Sequence, residues 1–498
     1  MSRKPKSLVF ITVDCLRADH CGFYGYSRPT TPFLDTLAGE AAVVPTAVVA
    51  GAPTYYSLPA ILASRMPLAL GRDVIGLAPG ESTLATALHG AGYATAAFSA
   101  ANPYISARFG YDQGFEVFED FLEFEPAGQA DDLDEEPREL AESSRRRTRL
   151  NRSLKRAACT IGLGSLYDEL YFQYCLRIAS SNIESIDGLC RFPSAEKVLG
   201  RAISWLNSVG RQPFFLWLHL MDPHSPYYPS ADAFREFSGR KISARRARYL
   251  NEFWNRSDLK PARLKRKRDS VLELYDAGIR SVDAQVARLA LHLKQAGVWD
   301  DCALVLTADH GEEFLEHGRR YHAPVNLAEE ITRVPLLIRA PSAGRPTTRA
   351  PFSHLHLAPT LLDMLEVPAP SSFRGRSLWD ELQHGTAWRD AAIAECVYGC
   401  NNPFRAGERL GARLLSVRNA RHKLVLCMEP GRTDELYDLE ADPGEERPLP
   451  LDVQKEVRSQ LLRAVQAHVR NIPEGRGGTI RLSARLRDLG IKLRSRAC

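Results

Sequence analysis

The sequence lacks any run of about 18 apolar residues, the length that a membrane-spanning helix requires. It also lacks the strong positive charge of a nucleic-acid binder, because 65 basic and 60 acidic residues leave a formal charge of only +5. The basic residues at positions 3, 4 and 6 precede an apolar stretch that is too short for a signal peptide and has no small-residue cleavage site. We therefore expect a cytoplasmic protein that binds no nucleic acid.

The ten cysteines form neither a Cys-x-x-Cys pair nor a regular framework, which is the pattern of thiols in a reducing compartment. The hydrophobic fraction of 44% and the charged fraction of 25% are those of an ordinary globular protein. A chain of 498 residues is long for a single core, so two domains are expected.

Two apolar segments stop abruptly at acidic residues. Residues 304–307 lead into Asp309 and His310, and residues 8–13 lead into Asp14. Each segment is typical of a buried parallel strand, and ligands of open α/β sheets bind outside the carboxyl ends of such strands. For Asp309 and His310 alone, a helix cap and a surface histidine are an equally good interpretation. Two such strand ends instead favour one shared metal site, with donors that suit zinc, manganese or calcium.

A turn that feeds a helix is predicted at residues 51–67. It places Thr54 or Ser57 at the helix N-terminus, where backbone N–H groups and the helix dipole favour anions. A hydroxyl at this position is either a helix cap or a nucleophile.

Several segments resemble, in the same order, landmarks of the sulfatase family within the alkaline phosphatase superfamily. The resemblance spans residues from about 7 to 448, and it is carried by residues 13–32, 217–227, 307–318, 333–339 and 435–443. It implies an α/β fold with an alkaline-phosphatase-like, mostly parallel central sheet flanked by helices. It also implies a small C-terminal subdomain with an antiparallel sheet.

The domain boundaries follow from this resemblance and from changes of pattern along the chain. We predict a catalytic domain at residues 1–390 with a variable insertion at about 120–200, a β subdomain at 391–448, and a helix with a basic tail at 449–498. The insertion contains a basic run at 145–156 and an aromatic stretch at 166–174. A solvated helix is the first interpretation of this region, and peripheral contact with an anionic membrane or lipid is the alternative.

The resemblance implies that Asp14, Asp309 and His310 ligate a divalent metal ion together with the oxygen of a nucleophile at Thr54. Sulfatases place Cys or Ser there, in a Cys/Ser-x-Pro-x-Arg motif that is oxidised to formylglycine. Threonine does not yield that aldehyde, and Leu58 replaces the arginine, so no formylglycine is expected. Cys15 stands where many sulfatases have a second aspartate, which suggests one transition metal ion in place of calcium.

Further polar residues are assigned to the pocket by position. His219 and His224 lie at the end of an apolar strand, where either is expected to position the ester or protonate its leaving oxygen. His322 falls near a substrate-contacting Lys or His of the family, and Asn102 and His317 resemble further substrate-binding positions. For each residue alone, a hydrogen-bonded loop position is the alternative.

The threonine nucleophile bears on the reaction. A threonine ester must be released by water or another acceptor, a route that phosphoryl groups tolerate better than sulfuryl groups. The sequence therefore predicts a hydrolase acting on a small anionic ester, either a phosphoester, a phosphodiester or a sulfate ester. A phosphoethanolamine-transferase-like enzyme and an inactive binding protein are the alternatives, and the oligomeric state stays open.

Overall fold

The structure, a computed structural model, describes most of the chain. The basic run at 145–152 and the tail after residue 470 lie outside the described residues, which are 5–71, 74–122, 153–160, 162–177, 185–341, 343–346, 348–428, 433–450 and 454–470. None of the helices in these ranges combines the length and the apolar character needed to cross a bilayer.

The strands and α-helices alternate along most of the chain. The strands are β1 (Ser7–Val13), β2 (Ala42–Val43), β3 (Ala47–Val48), β4 (Ala94–Ser99), β5 (Val117–Glu119), β6 (Phe214–Leu220), β7 (Cys302–Ala308), β8 (Glu313–Phe314), β9 (Arg320–Tyr321), β10 (Arg333–Val334), β11 (Leu336–Arg339), β12 (Phe352–Ser353), β13 (Ala392–Val397), β14 (Arg413–Arg418), β15 (His422–Cys427) and β16 (Glu435–Asp438). The helices are α1 (Pro32–Leu37), α2 (Thr54–Ala63), α3 (Leu84–Gly90), α4 (Gly164–Arg177), α5 (Ala195–Val209), α6 (Ala231–Ser238), α7 (Ala244–Trp254), α8 (Pro261–Leu264), α9 (Arg268–Gln295), α10 (Glu329–Thr332), α11 (Leu357–Met364), α12 (Trp379–His384), α13 (Ala406–Arg409) and α14 (Lys455–Arg470).

A seven-stranded sheet forms the centre of the molecule, in the order β2-β11-β7-β1-β6-β4-β5. Five neighbouring strands, β7, β1, β6, β4 and β5, run parallel to one another. Strand β11 is antiparallel to both of its neighbours, β7 and β2. Every residue of β1, β6 and β7 is buried, because these near-continuous apolar sequences are covered by helices on both faces. The mostly parallel sheet flanked by helices confirms the predicted fold class.

A second, four-stranded antiparallel sheet is formed by β13 to β16 in sequence order. Leu415, Val417 and Leu424 of this sheet pack with Leu461 and Val465 of α14 in a small core of their own. The alternating pattern at 412–426 thus forms the predicted hairpin, because one face of each strand is buried under the helix.

The register of the central sheet aligns the ends of three neighbouring strands. Thr12 of β1 pairs with His219 of β6 on one side and with Thr307 of β7 on the other. Since the three strands are parallel and in step, the residues that follow them emerge at the same edge of the sheet.

Candidate active site

The carboxyl edge of the central sheet gathers acidic and imidazole side chains away from solvent. Asp14 follows β1, Asp309 follows β7, and His219 is the penultimate residue of β6. All three side chains are fully buried. The two strand ends that the sequence singled out therefore lie side by side.

Thr54 is the first residue of α2 and points into this cluster. Its Oγ1 lies 3.4 Å from Asp14 Oδ2 and 3.2 Å from His310 Nε2. Ser57, the alternative hydroxyl, donates instead to the backbone oxygen of Thr54 at 3.2 Å. Of the two hydroxyls considered from the sequence, Thr54 is the one that faces the carboxylates.

Asn102 follows β4 and orients one of the carboxylates. Its Nδ2 donates to Asp14 Oδ2 at 2.9 Å, while its Oδ1 accepts the backbone N–H of Tyr104 at 3.0 Å. The structure thus brings the side chain against Asp14, where it supports the position of that carboxylate.

The electrostatics of the two aspartates differ although both are buried. Burial by itself would raise the pKa of Asp14, but three neighbouring imidazoles, first that of His224, hold the pKa of this carboxyl well below its usual range. Burial and the nearby Asp14 together raise the pKa of Asp309. Two carboxylates in one dry site therefore compete for positive charge.

The cluster fits a bound cation. His219 Nε2 and Asp309 Oδ2 are buried and have no hydrogen-bond partner among the described residues. Donor atoms of Asp14, His219 and Asp309 lie within 4.8 Å of one another. In the described part of the chain no lysine or arginine forms an ion pair with either aspartate, and buried carboxylates need a counter-charge.

The ring of His310 is also oriented to act as a metal ligand. Its Nδ1 lies 2.9 Å from the backbone oxygen of Gly311, and this hydrogen bond leaves Nε2 directed at Thr54. Metal-bound histidines commonly use one ring nitrogen in this way and present the other to the ion.

His224 and His322 lie on the other side of His310. The rings of His310 and His322 are 4.5 Å apart, and those of His322 and His224 are 5.1 Å apart. Burial lowers the pKa of His224. Burial also disfavours the charged form of His322, but Glu312, 3.2 Å away, outweighs it and raises the pKa of His322 to about 9.

Cys15 lies at the centre of this arrangement. Its Sγ donates to Asp14 Oδ1 at 3.1 Å and lies 3.4 Å from His322 Nδ1. Burial raises the pKa of the thiol. The sequence suggested only that a carboxylate is missing at this position. The structure shows that a neutral thiol lies there, between Asp14 and His322.

His317 has a different environment. Its Nε2 lies 2.9 Å from Glu330 Oε1, and donor atoms of Glu445 lie close to both. Among the described residues it makes no hydrogen bond or ion pair with Asp14, Thr54 or His310. The structure thus gives His317 an ion-pair partner, and its contact with substrate stays a prediction.

Three residues of the site were missed from the sequence. Glu312 is fully buried beside His322, and its position just after the apolar strand is the signal that would have found it. Thr12 contacts Nδ1 of His219 and itself accepts a hydrogen bond from Trp217, each from within its strand. No pattern marks them, because only the pairing of β1 with β6 brings them together.

Family models match nearly the whole described chain. Residues 6–367 match the sulfatase model, and residues 316–471 match the model of the C-terminal part of N-sulphoglucosamine sulphohydrolase. The first match alone covers more than half of the chain.

Curated relatives share shorter stretches. An N-acetylglucosamine-6-O-sulfatase of Bacteroides thetaiotaomicron is 31% identical over 203 residues, which cover 39% of this chain and 34% of that protein. A choline-sulfatase of Rhizobium meliloti is 29% identical over 178 residues, which cover 34% of this chain and 31% of that protein. The chain thus spans about a third of the length of these two relatives.

Solved structures share the fold over nearly the full length. A protein in complex with its substrate D-glucosamine-2-N,6-O-disulfate superposes with a TM-score of 0.66 at 18% identity, covering 94% of this chain and 98% of that one. The phosphonate monoester hydrolase of Agrobacterium radiobacter gives a TM-score of 0.60 at 18% identity, covering 94% and 95%. The strand-end cluster, the family match and the shared fold together lead to one conclusion: this chain belongs to the sulfatase family of the alkaline phosphatase superfamily.

Proposed function

We propose that the protein is a metal-dependent hydrolase of a small anionic ester, with Thr54 as the nucleophile. The observation that carries this proposal is the position of the Thr54 hydroxyl, which lies against Asp14 and His310 in a buried cluster whose two aspartates pair with no lysine or arginine of the described chain. Sulfatases of sugar and choline esters among the relatives, and the fold shared with a phosphonate monoester hydrolase, support an ester of sulfate or phosphate type.

A divalent cation such as zinc, manganese or calcium is part of the proposal. Asp14, Asp309 and His310 would hold it together with Thr54 Oγ1, since their donor types suit such an ion. Asp14 shares one close group of donor atoms with His310 and Cys15, and another with Asp309 and His219. When bound, it would lower the pKa of the threonine hydroxyl and neutralise charge on the transferred group.

The residues around Thr54 direct its hydroxyl. Thr54 Oγ1–H donates a hydrogen bond to Asp14 Oδ2, 3.4 Å away, and Asn102 holds that oxygen in place. The hydroxyl proton would be lost to solvent once the ion lowers the pKa of the hydroxyl. Oγ1 forms a bond to phosphorus or sulfur while the bond to the ester oxygen breaks. Since α2 begins at Thr54, the N–H groups of its first turn favour the anionic ester.

The leaving oxygen needs a proton, and His224 and His322 are the imidazoles available for it. Their rings are adjacent, and Glu312 fixes the orientation of His322 through Nδ1. One of the two donates its proton to the departing oxygen. Water then attacks the threonine ester and releases the anion, a step that requires no formylglycine.

Substitution of Thr54 tests the proposal. Thr54→Ala removes the nucleophilic oxygen, so kcat/KM for the best of a set of aryl sulfate, aryl phosphate, phosphodiester and phosphonate esters is expected to fall at least about 1,000-fold. Thr54→Ser keeps the oxygen and should retain measurable turnover. Mass spectrometry of the protein quenched during turnover should find the adduct on Thr54.

Ser57→Ala is the matched control, because it removes a buried hydroxyl of the same helix that only contacts backbone. It should leave turnover within a few-fold of wild type. An adduct on Ser57, or full activity of Thr54→Ala, would contradict the assignment. A protein that binds the metal ion but turns over none of these esters would instead be a binding protein.

A further inference from the structure

The Thr12 hydroxyl makes three contacts inside the central sheet. Trp217 Nε1–H donates to Thr12 Oγ1 at 3.0 Å, and Thr12 Oγ1 donates to the backbone oxygen of Leu218 at 3.3 Å. The third contact is with His219 Nδ1, at 2.9 Å. All of these groups are buried, so their hydrogen bonds must be satisfied within the protein.

This arrangement assigns the tautomer of His219. With the hydroxyl hydrogen given to Leu218 and one lone pair taken by Trp217, the remaining lone pair accepts the hydrogen on Nδ1 of His219. The opposite tautomer would put that hydrogen on Nε2, where the described residues offer no acceptor in hydrogen-bond geometry. Nε2 therefore presents a lone pair.

The lone pair of His219 points at negative charge. Nε2 lies 3.4 Å from Asp14 Oδ2, and the partnerless Asp309 Oδ2 belongs to the same group of donor atoms. Three electron-rich atoms that face one another in a dry site repel each other unless a cation lies between them.

We propose that His219 is a ligand of the catalytic cation and that Thr12 and Trp217 are positioning residues that fix its ring. The inference rests on the proposed function, since it concerns the same ion, but it changes the role of this residue. His219 binds the ion through Nε2 rather than donating a proton to the ester, and that task is left to His224 and His322.

The donor set has a consequence for the identity of the ion. With His219 added to His310, two imidazole nitrogens join the carboxylates of Asp14 and Asp309. Calcium and magnesium prefer oxygen ligands, whereas zinc and other transition ions accept this mixture of nitrogen and oxygen. The site is therefore expected to select zinc or manganese over calcium.

The first test measures affinity for zinc in protein stripped with a chelator. Thr12→Val keeps the shape but removes the acceptor for Nδ1–H, so zinc affinity by calorimetry should fall about 10- to 100-fold, as for other residues that orient metal ligands. Thr12→Ser restores the hydroxyl and should restore affinity. Trp217→Phe removes the indole N–H together with part of the buried ring, and it should weaken binding less than Thr12→Val.

The second test counts nitrogen ligands by pulsed EPR of the manganese-loaded protein. Wild type should show coupling to two imidazole nitrogens, and His219→Ala to one. If His219→Ala has the zinc affinity and the nitrogen couplings of wild type but a lower turnover, the inference is wrong, and His219 acts on the ester instead. Unchanged affinity in Thr12→Val would overturn the positioning role.

These measurements separate the inference from the proposed function. If Thr54→Ala keeps full turnover, the nucleophile is wrong, yet the loss of a nitrogen coupling in His219→Ala still identifies a ligand. If stripped protein binds neither zinc nor manganese, both proposals fail. Melting temperatures of all variants in excess chelator establish that each one folds.

Discussion

Asp14 and Asp309 at the end of the central sheet can be compared with Glu445, which lies between that domain and the C-terminal sheet. All three carboxylates are buried. Glu445 has an internal counter-charge, because Lys423 Nζ lies 2.9 Å from its Oε1 and is itself only 1% exposed. In the described part of the chain the two aspartates have no lysine or arginine partner and lie instead beside the imidazoles of His219 and His310. The chain thus places a lysine beside one cluster, whereas imidazoles lie beside the other.

A contrast in pKa direction separates Asp309 from Glu395, whereas burial raises the pKa of Glu445 despite Lys423. Burial, reinforced by Asp14, raises the pKa of Asp309. Burial also acts on Glu395 of β13, but Arg413 and His468 outweigh it and lower the pKa of Glu395 to about 2. A buried carboxylate beside fixed cations is stabilised as an ion, whereas one beside another carboxylate is destabilised as an ion.

The largest effect on stability is expected from removal of the internal counter-charge. Lys423→Met keeps most of the apolar stem but leaves Glu445 buried without this cation. Glu329, 3.2 Å from the same Nζ, loses one of its cations and keeps Arg418. Breaking a buried pair in this way costs about 3 to 5 kcal/mol. Urea unfolding followed by tryptophan fluorescence would measure the loss.

An exposed ion pair provides the control for this substitution. Arg240, 66% exposed, pairs with Glu273 on the surface. Because exposed pairs of this kind contribute little to stability, Arg240→Ala should lie close to wild type. If Lys423→Met is no less stable than Arg240→Ala, then Lys423 does not stabilise the buried carboxylates of Glu445 and Glu329 as described.

A smaller effect is expected in acid. The pKa of Glu395 is depressed to about 2, so its contribution to stability is present above the unfolded pKa near 4.5 and is lost as the pH falls toward 2. Between pH 5 and pH 3, wild type should lose about 2 kcal/mol more than Glu395→Gln, which carries no titrating group there. Unfolding curves at both pH values give this difference, and parallel losses in the two proteins would contradict it.

The sequence was sufficient for the central features because they depend on long apolar strands. Buried parallel strands predicted the sheet, and the acids that follow β1 and β7 predicted that Asp14 and Asp309 lie together. The partners of Lys423 and His317 were not predictable, because they lie on elements that only the packing of two sheets brings together. The orientation of His219 was not predictable either, since it depends on the register of Thr12 and on side-chain rotamers.

The smallest predicted effect is the change in stability when one buried acid of each cluster is replaced by its amide. This change has opposite signs in the two clusters. Asp309→Asn removes a buried charge that faces the imidazole of His310 but no lysine or arginine of the described chain, so the metal-free protein should become more stable by about 1 kcal/mol. Glu445→Gln removes a paired charge and leaves Lys423 without that partner, so it should lower stability. Added zinc should stabilise wild type and Glu445→Gln, but Asp309→Asn much less, because only a bound ligand shifts the unfolding equilibrium. Thermal unfolding with chelator and with zinc measures both effects, and a loss of stability in metal-free Asp309→Asn would mean that a counter-charge within the chain already neutralises the sheet-edge cluster.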